Sequence, residues 1–227
     1  MTCPADAGGH RTNPDQNDGA SPRLPGGVAV VLAAGSGRRF GGAKQLALLA
    51  GRPLLLWALR AALDSGLERG LVVLGGHADQ VRAWLPNEPR LTVLDNPDYL
   101  QGMGTSLALA ARWCRQRRAR VMAVLLGDQP LVAAEMVRRV AQAALDSPAG
   151  AAAALVAKRP VHPVAFAARH FDELGRLSGD HGGRGLLRRL GDSLSLLPAP
   201  EYSAWDVDRP ADLAEAQRLL SGGLPRG

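Results

Sequence analysis

Short apolar runs of strand length alternate with helical segments along most of this chain, and this rhythm limits its fold more than any other feature. The runs are VAVVLAA (28–34), LVVL (71–74), LTVL (91–94) and VMAVLL (121–126). Helical patterns lie between and after them, around residues 53–65, 78–85, 105–118 and 133–146. The alternation predicts the α/β class, with a Rossmann-like, mostly parallel sheet flanked by helices. Because ligands bind beyond the carboxyl ends of parallel strands, we expect a site in the loops that follow them.

The two ends of the chain differ in composition. Residues 1–26 are rich in Gly, Pro, Asn and Asp and contain almost no large apolar side chains, so they cannot offset the entropy cost of ordering. We therefore expect a disordered N-terminal tail there. After Pro148 further β-like and helical stretches follow without a linker, which predicts a single domain over residues 27–222.

Charge and hydropathy narrow the choice of partners. The net charge is +6, and only Lys44 and Lys158 among the 27 basic residues are lysines. An arginine-rich chain suits phosphate-rich ligands, while an aromatic content of 4% disfavours nucleic acid as a partner. No apolar run reaches the roughly 18 residues of a membrane span, and the N-terminus lacks a basic region followed by an apolar one. We expect no membrane association and a cytoplasmic location.

The first apolar run leads into LAAGSGRRFGGAK at residues 32–44, a loop of small and basic residues. Backbone N–H groups of such a loop can bind phosphate oxygens, and Arg38 and Lys44 can neutralise the charge. The glycine spacing matches neither the P-loop nor the dinucleotide-binding fingerprint. An ordinary glycine-rich turn with solvent-facing arginines is the alternative.

Acidic residues follow two of the β-like stretches. Asp128 comes directly after VMAVLL, and Asp206 and Asp208 lie two residues apart in the strand-like SAWDVD, hence on one face of a strand. Acids from separate strand ends can share Mg²⁺, which prefers one or two carboxylates completed by water and phosphate oxygens. The alternative is that Asp206 or Asp208 caps the helix that opens at Pro210.

Two glycine-containing turns precede further helices. In NPDYLQGMGTS, Thr105 or Ser106 is predicted to be the helix N-cap, and the free donors of that first turn could hold a base or an anion. The sequence GGR at 182–184 precedes another helix and suits a second phosphate, although both turns could be ordinary helix starts. His162 beside Pro163 is consistent with a simple turn, and no His or Cys set has zinc spacing.

Together these segments resemble the MobA-like nucleotidyltransferases, most closely the molybdenum cofactor cytidylyltransferases, over nearly all of residues 28–220. LAAGSGRRFGGAKQL is similar to the family's signature loop, NPDYLQGMGTSL to its middle motif and GDQPLV to its metal-binding loop. HPVAF, GDHGGRGLL and DVDRPADL are similar to its pterin-side strand, second Gly-Arg loop and C-terminal acid motif. The resemblance implies a fold of the nucleotide-diphospho-sugar transferase type. It also implies transfer of CMP from CTP to the terminal phosphate of the molybdenum cofactor (molybdopterin), with release of pyrophosphate.

The resemblance also assigns roles to single residues. Lys44, Arg38 and Asp128 would be catalytic, and Asp128 and Asp208 would hold Mg²⁺. The nucleotide would contact Leu32, Ala33, Ala34, Gly35, Ser36, Gly37, Lys44, Asn96, Gly102, Ser106 and Asp128. The pterin or other acceptor would contact His162, Pro163, Asp180, Gly183 and Arg184. Besides CTP and the cofactor, a molybdoenzyme or its maturation chaperone is an implied partner. Two positions depart from the family: Val161 stands where relatives usually have glycine, and Phe40 where they have methionine.

Four alternatives remain open. A guanylyltransferase using GTP is disfavoured by LAAG and by the absence of an Asp before Lys44, whereas KQLALLAGRPLL is similar to the 2-C-methylerythritol 4-phosphate cytidylyltransferases. The third is an NAD(P)H-dependent reductase of a pyridine-derived pigment on the same fold, and the fourth is a non-catalytic chaperone for the mature cofactor.

The implied transfer of CMP requires no general base, because the attacking phosphate is already anionic.

Overall fold

The structure is a computed structural model that describes residues 23–35, 37, 40–180 and 182–222. Residues 1–22 of the predicted tail therefore lie outside the described residues. The prediction of a tail as far as residue 26 is wrong at its end, because the first strand already begins at Leu24. The backbone N–H of Leu24 donates to the carbonyl of Gly66, and its side chain is buried in the core.

The described residues form nine strands and seven α-helices. The strands are β1 (Leu24–Ala33), β2 (Leu48–Leu49), β3 (Arg52–Pro53), β4 (Leu67–Leu74), β5 (Leu91–Asp95), β6 (Val121–Leu126), β7 (Ala151–Val156), β8 (Arg159–Ala167) and β9 (Ser195–Pro198). The helices are α1 (Leu54–Asp64), α2 (Ala78–Arg82), α3 (Met103–Gln116), α4 (Ala134–Asp146), α5 (Phe171–Leu174), α6 (Arg184–Leu190) and α7 (Pro210–Ser221). Four of these helices coincide with the four predicted helical segments.

Seven strands build one sheet in the order β5-β4-β1-β6-β8-β7-β9. The first four are mutually parallel and β9 is parallel to β7, whereas β8 runs antiparallel to both of its neighbours. The predicted α/β class with a mostly parallel sheet is therefore confirmed. The short β2 and β3 pair with each other in a separate antiparallel ribbon.

The central strand β1 is buried on both faces, which explains its continuous apolar run. Ala29, Val31 and Ala33 pack in one cluster with residues of α1 and α4. The alternate residues Val30 and Leu32 point to the other face of the sheet and pack there with residues of α3. In the described part of the chain, every helix is too short or too polar to cross a membrane.

Candidate functional site

Three adjoining cavities open at the carboxyl edge of the parallel strands. The Lys44 cavity is lined by Ala33, Gly35, Gly37, Lys44, Asp128 and Asp208, among others. The Tyr99 cavity is lined by Ala34, Tyr99, Gly102, Ser106, Asp128 and Asp180, among others. The His162 cavity is lined by Gln129, His162, Asp180, Gly183, Arg184 and Asp206, among others. Leu32 lines all three cavities, Asp128 the first two and Asp180 the last two, so the cavities form one continuous region.

At the floor of the Lys44 cavity one ammonium group joins two acids. Lys44 Nζ donates to Oδ2 of Asp128 at 2.7 Å and to Oδ1 of Asp208 at 2.9 Å. The lysine lies 84 residues from Asp128 and 164 from Asp208 in sequence, so only the fold brings the three together. Its side chain is 16% exposed and that of Asp128 27%, whereas Asp208 is 52% exposed.

The charge state of Lys44 follows from these contacts. Burial by itself would lower its pKa, but the charge of Asp128 and the hydrogen bonds to Asp128 and Asp208 outweigh that effect. The pKa of Lys44 is therefore raised above its ordinary value. The ammonium thus stays positive at neutral pH and is held where a negatively charged ligand would enter.

The first loop is shaped by hydrogen bonds that sequence reasoning missed. The buried Gln45 donates from Nε2 to the carbonyls of Ala33 at 2.9 Å and Gly35 at 2.6 Å, which ties both sides of the bend to the end of β1. Gly37 has a φ of +63°, and a Cβ there would lie 2.0 Å from the Gly42 carbonyl oxygen. Only glycine fits that position. Ser36 and Arg38, both predicted site residues, lie outside the described residues.

The segment before α7 differs from its prediction. SAWDVD is not a strand: residues Glu201–Ala204 form a 3₁₀ turn, and residues 205–208 lie outside any strand. A single backbone bond of 3.0 Å, from the Val207 N–H to the Asp128 carbonyl, joins this segment to the end of β6. A single hydrogen bond does not pair two strands, so the side chains of Asp206 and Asp208 need not point to the same face as they would in a strand. Asp206 lines the His162 cavity, whereas Asp208 lines the Lys44 cavity.

The alternative of a simple helix cap is also wrong. The N-cap position of α7 is Arg209, and Oδ2 of Asp212 accepts the backbone N–H groups of Asp208 and Arg209 at 2.8 and 2.7 Å. Asp212 therefore satisfies the donors at the helix start. The side chain of Asp208 is directed instead to Lys44.

The two carboxylates at Lys44 also form a suitable donor set for a hard divalent cation. They already bind one positive group between them, and Mg²⁺ prefers a few carboxylate oxygens with water and phosphate completing its octahedron. Across the residues with described positions, no group of three or more His, Cys, Asp and Glu side chains is arranged to hold a metal. Two carboxylates can hold Mg²⁺ when phosphate and water oxygens complete the octahedron, so Asp128 and Asp208 fit a phosphate-bound cation.

At the Tyr99 cavity the predicted helix cap is wrong. Helix α3 begins at Met103, with Gly102 at the N-cap position in a φ of +118°. The hydroxyls of Thr105 and Ser106 each accept a 2.8 Å hydrogen bond from Nδ2 of the buried Asn96. Both amide hydrogens of Asn96 are used inside the protein, so this residue holds the loop to the helix, while Gly102 and Ser106 line the cavity.

The start of α3 packs against the loop before α6. The N–H of Gly104 donates to the carbonyl of Gly179 at 2.7 Å. A Cβ on Gly102 would lie 2.4 Å from Oδ1 of Asp180, so that approach also needs glycine. The Tyr99 and His162 cavities therefore share a wall made by two loops in direct backbone contact.

The His162 cavity gathers four of the five predicted acceptor-side residues, His162, Asp180, Gly183 and Arg184. Pro163 is buried in β8 and does not line it. Two further lining residues carry polar groups: Asp206, and Gln129, which sequence reasoning missed. A glutamine in GDQP follows the predicted metal acid directly, and only that adjacency could have drawn attention to it.

Burial sets the charge of His162. Loss of solvent lowers the pKa of its imidazole to about 4, against an opposing effect of the Asp128 charge and with a smaller lowering by Arg184. The imidazole is therefore neutral at pH 7. In that state one ring nitrogen can accept and the other can donate a hydrogen bond to a ligand in this cavity.

This shift predicts a loss of stability in acid. The unfolded chain gains a proton on His162 below about pH 6.5, and the folded protein only near pH 4, so the free energy of unfolding should fall as the pH drops through that window. The expected loss is about 2–3 kcal/mol by pH 4. Urea unfolding at pH 7 and pH 4.5 measures it. In His162→Gln the free energy of unfolding should differ less between pH 7 and pH 4.5 than in the wild type. The matched control His77→Asn, at an exposed site, should keep the wild-type difference. An unchanged difference in His162→Gln would contradict the assignment.

Comparison of the sequence with known proteins points to one family. A sequence model of the MobA-like NTP transferase domain matches residues 29–194. The purine catabolism protein PucB of Bacillus subtilis is 28% identical over 208 residues, covering 88% of this chain and 100% of PucB. The bifunctional protein GlmU of Maricaulis maris is 35% identical over 151 residues, covering 66% of this chain and 32% of GlmU. The 2-C-methyl-D-erythritol 4-phosphate cytidylyltransferase of Symbiobacterium thermophilum is 34% identical over 125 residues, covering 54% of this chain and 52% of that enzyme. The chain thus spans a third to a half of the last two relatives.

Solved structures share the fold. Rv0371c from Mycobacterium tuberculosis superposes with a TM-score of 0.71 and 28% identity, covering 85% of this chain and 97% of that one. A complex of the same protein with manganese superposes with a TM-score of 0.65 and 27% identity, covering 85% and 98%. Molybdopterin-guanine dinucleotide biosynthesis protein A from Archaeoglobus fulgidus, at 20% identity, superposes with a TM-score of 0.61 over 86% of this chain and 99% of that one.

Proposed function

The chain belongs to the MobA-like NTP transferase domain family, and from that premise we propose that it transfers CMP from CTP to the terminal phosphate of the molybdenum cofactor. The observation that carries the proposal is the convergence of Asp128 and Asp208 on the Lys44 ammonium, in the cavity that Gly35 and Gly37 also line. A cation between two acids, at the carboxyl edge of the sheet, suits a metal-bound triphosphate.

The reaction needs charge neutralisation more than proton transfer. An oxygen of the acceptor phosphate attacks the α-phosphorus of CTP, the bond from that phosphorus to the β-phosphate oxygen breaks, and pyrophosphate leaves. Since the attacking oxygen is already anionic, none of the residues has to remove a proton. Lys44 supplies positive charge to the phosphates, and the N–H groups of the first loop bind their oxygens. A Mg²⁺ ion bound by Asp128 and Asp208 would add charge that offsets the developing negative charge.

Two comparisons support the choice of donor and metal. The Symbiobacterium relative, similar over 54% of this chain, is named a cytidylyltransferase, in keeping with CTP as the donor. The manganese complex of the structurally similar Rv0371c is in keeping with a divalent cation at the acidic pair. The first loop also favours CTP over GTP, because it reads LAAG and has Ala43 rather than an acid before Lys44.

The His162 cavity is the proposed acceptor site. Apolar side chains of Val164 and Phe166 line it beside the neutral imidazole, and Arg184 offers one positive charge. A flat heterocycle carrying a phosphate matches an apolar wall with a few polar groups. After transfer, a molybdoenzyme or its maturation chaperone would receive the product.

A thermal-shift series tests the donor. CTP with Mg²⁺, at about a hundred times its dissociation constant, should raise the melting temperature by roughly 5–10 °C, because a ligand of the native state alone adds about 2.7 kcal/mol. GTP, ATP and NADPH with Mg²⁺ should give smaller shifts, and CTP without Mg²⁺ a weaker one. A response to NADPH as large as that to CTP would overturn the proposal and favour the reductase.

Labelled CTP tests the acceptor. Pyrophosphate release should require the molybdenum cofactor. The 2-C-methylerythritol 4-phosphate cytidylyltransferase remains a second candidate because of the Symbiobacterium relative, and release that instead requires 2-C-methylerythritol 4-phosphate would establish it. Release from GTP but not CTP would indicate a guanylyltransferase. Cofactor binding without release from either nucleotide would indicate a chaperone.

A further inference from the structure

Gln129 joins the two acidic segments of the site through its side chain. It follows Asp128 directly, and its Nε2 donates to Oδ1 of Asp206 at 2.8 Å. A carboxylate only accepts hydrogen bonds, so the amide nitrogen must face Asp206 and the amide oxygen must face away. Gln129 is 4% exposed, so its side chain is held inside the protein, and the bond to Asp206 sets which way the amide faces.

This side-chain bond and one backbone bond together hold the two segments. The N–H of Val207 donates to the Asp128 carbonyl at 3.0 Å, and the Val207 side chain is fully buried. With the bond from Gln129 to Asp206, the segment before α7 is attached to the end of β6 at two successive residues. Asp208 is the next residue along, so this two-point attachment helps to place its carboxylate relative to that of Asp128, together with the shared Lys44 and the bond from the Asp208 N–H to Asp212.

Only one end of the Gln129 amide has a partner in the described protein. The Nε2 atom donates to Asp206, whereas the buried Oε1 atom has no hydrogen-bond partner among the described residues. An unsatisfied buried acceptor costs free energy. Within the described residues, the polar side chain is therefore used for the bond to Asp206 alone.

We propose that Gln129 is a positioning residue, which holds Asp206 on the side of the His162 cavity and thereby sets the spacing of the Asp128 and Asp208 carboxylates. The inference rests on the proposed function, since those carboxylates act there as the cation site. Without the amide, the segment keeps the backbone bond at Val207 but loses its attachment at Asp206, so the Asp208 carboxylate is held less firmly relative to that of Asp128. A small displacement matters because Mg²⁺ accepts only near-ideal octahedral geometry.

Four variants distinguish the effect of the bond between Gln129 and Asp206 from the effect of the Asp206 charge. Gln129→Leu breaks the bond and keeps the Asp206 carboxyl group, whereas Asp206→Asn replaces that carboxyl group by an amide whose oxygen can accept from Gln129. Asp206→Leu and the double variant Gln129→Leu/Asp206→Leu complete a double-mutant cycle. The measurements are the dissociation constant of Mn²⁺ in the presence of CTP, from the EPR signal of free Mn²⁺, and the melting temperature.

The wild type should bind Mn²⁺ in a CTP-dependent manner. Gln129→Leu should weaken Mn²⁺ binding about tenfold, because part of the binding free energy is then used to order the segment that carries Asp208. The melting temperature shows separately what the bond from Gln129 to Asp206 contributes to the fold. Asp206→Asn should remain within about threefold of the wild type, and the double variant should be no weaker than Gln129→Leu.

Three results would overturn the inference alone: normal Mn²⁺ binding by Gln129→Leu, a loss in Asp206→Asn as large as in Gln129→Leu, or losses that multiply in the double variant. The second of these would assign the effect to the Asp206 charge. If the wild type binds no Mn²⁺ with CTP, the proposed function fails and takes this inference with it.

Discussion

Asp128→Asn is expected to lower the rate of nucleotidyl transfer about a thousandfold, because it removes one of the two charges proposed to hold the cation at the triphosphate. A unit charge pair at about 4 Å is worth on the order of 4 kcal/mol at an effective dielectric constant near 20. About 1.4 kcal/mol corresponds to tenfold in rate, so about three orders of magnitude follow. Steady-state turnover with CTP and Mg²⁺ is the measurement.

A matched control isolates the site from the fold. Asp95→Asn makes the same chemical change in the exposed ion pair with Arg82, at the end of β5, the edge strand of the same sheet. Exposed pairs contribute little, so this variant should keep normal turnover. The circular dichroism of Asp128→Asn should match that of the wild type, because the side chain keeps its shape. Near-normal turnover by Asp128→Asn would contradict the assignment of the metal site.

Lys44→Met is expected to have the second-largest effect, a loss of roughly a hundred- to a thousandfold in kcat/KM for the nucleotide. The variant removes the ammonium proposed to meet the phosphates and leaves the Asp128 and Asp208 carboxylates without their shared partner. For the same reason Mn²⁺ should bind the variant more tightly than the wild type when no nucleotide is present, because the ammonium no longer competes for the two carboxylates.

The control for Lys44→Met is the only other lysine of the chain. Lys158 is exposed at the turn between β7 and β8, so Lys158→Met should leave both kcat/KM and Mn²⁺ binding unchanged. A Lys44→Met variant that retains normal kcat/KM would show that the lysine is only a structural counter-ion. Weaker Mn²⁺ binding in the absence of nucleotide would show that the ammonium does not compete with the cation.

Much of the fold was predictable because the strands of a parallel sheet are buried on both faces. VAVVLAA and VMAVLL lack polar interruptions for that reason, and both lie in central strands. The antiparallel direction of β8 was not predictable, since HPVAFA has the same apolar character whichever way it pairs. The early start of β1 at Leu24 was also missed, because a Pro-Gly-Gly sequence normally ends order and here continues a strand through contact with Glu68.

The site was predictable where chain topology dictates it. Lys44 and Asp128 follow neighbouring strands β1 and β6, so the carboxyl edge of the sheet brings them together. Asp208 belongs to no strand, and tertiary contacts of its segment place it there: the burial of Val207 and the bonds of residues 206 and 207 to the loop after β6. Gln129 acts through a hydrogen bond to Asp206, 77 residues away, and one amide side chain gives no pattern in a sequence. Asn96 was predicted as a nucleotide contact, but its bonds to Thr105 and Ser106 could not be predicted.

Different segments of the chain line the Lys44 cavity and the His162 cavity, and this separation has a consequence for engineering. Residues up to α4 supply the glycine-rich loop, Lys44 and Asp128, whereas β8, the loop before α6 and the first residue of α6 supply His162, Asp180 and Arg184 to the His162 cavity. Because the His162 cavity is the proposed acceptor site, a chimera that exchanges residues 159–184 with those of a relative is expected to accept a different recipient molecule and to keep the proposed nucleotide site. The exchanged segment must preserve the backbone hydrogen bond between Gly104 and Gly179. That bond lies where the proposed nucleotide site and the proposed acceptor site adjoin.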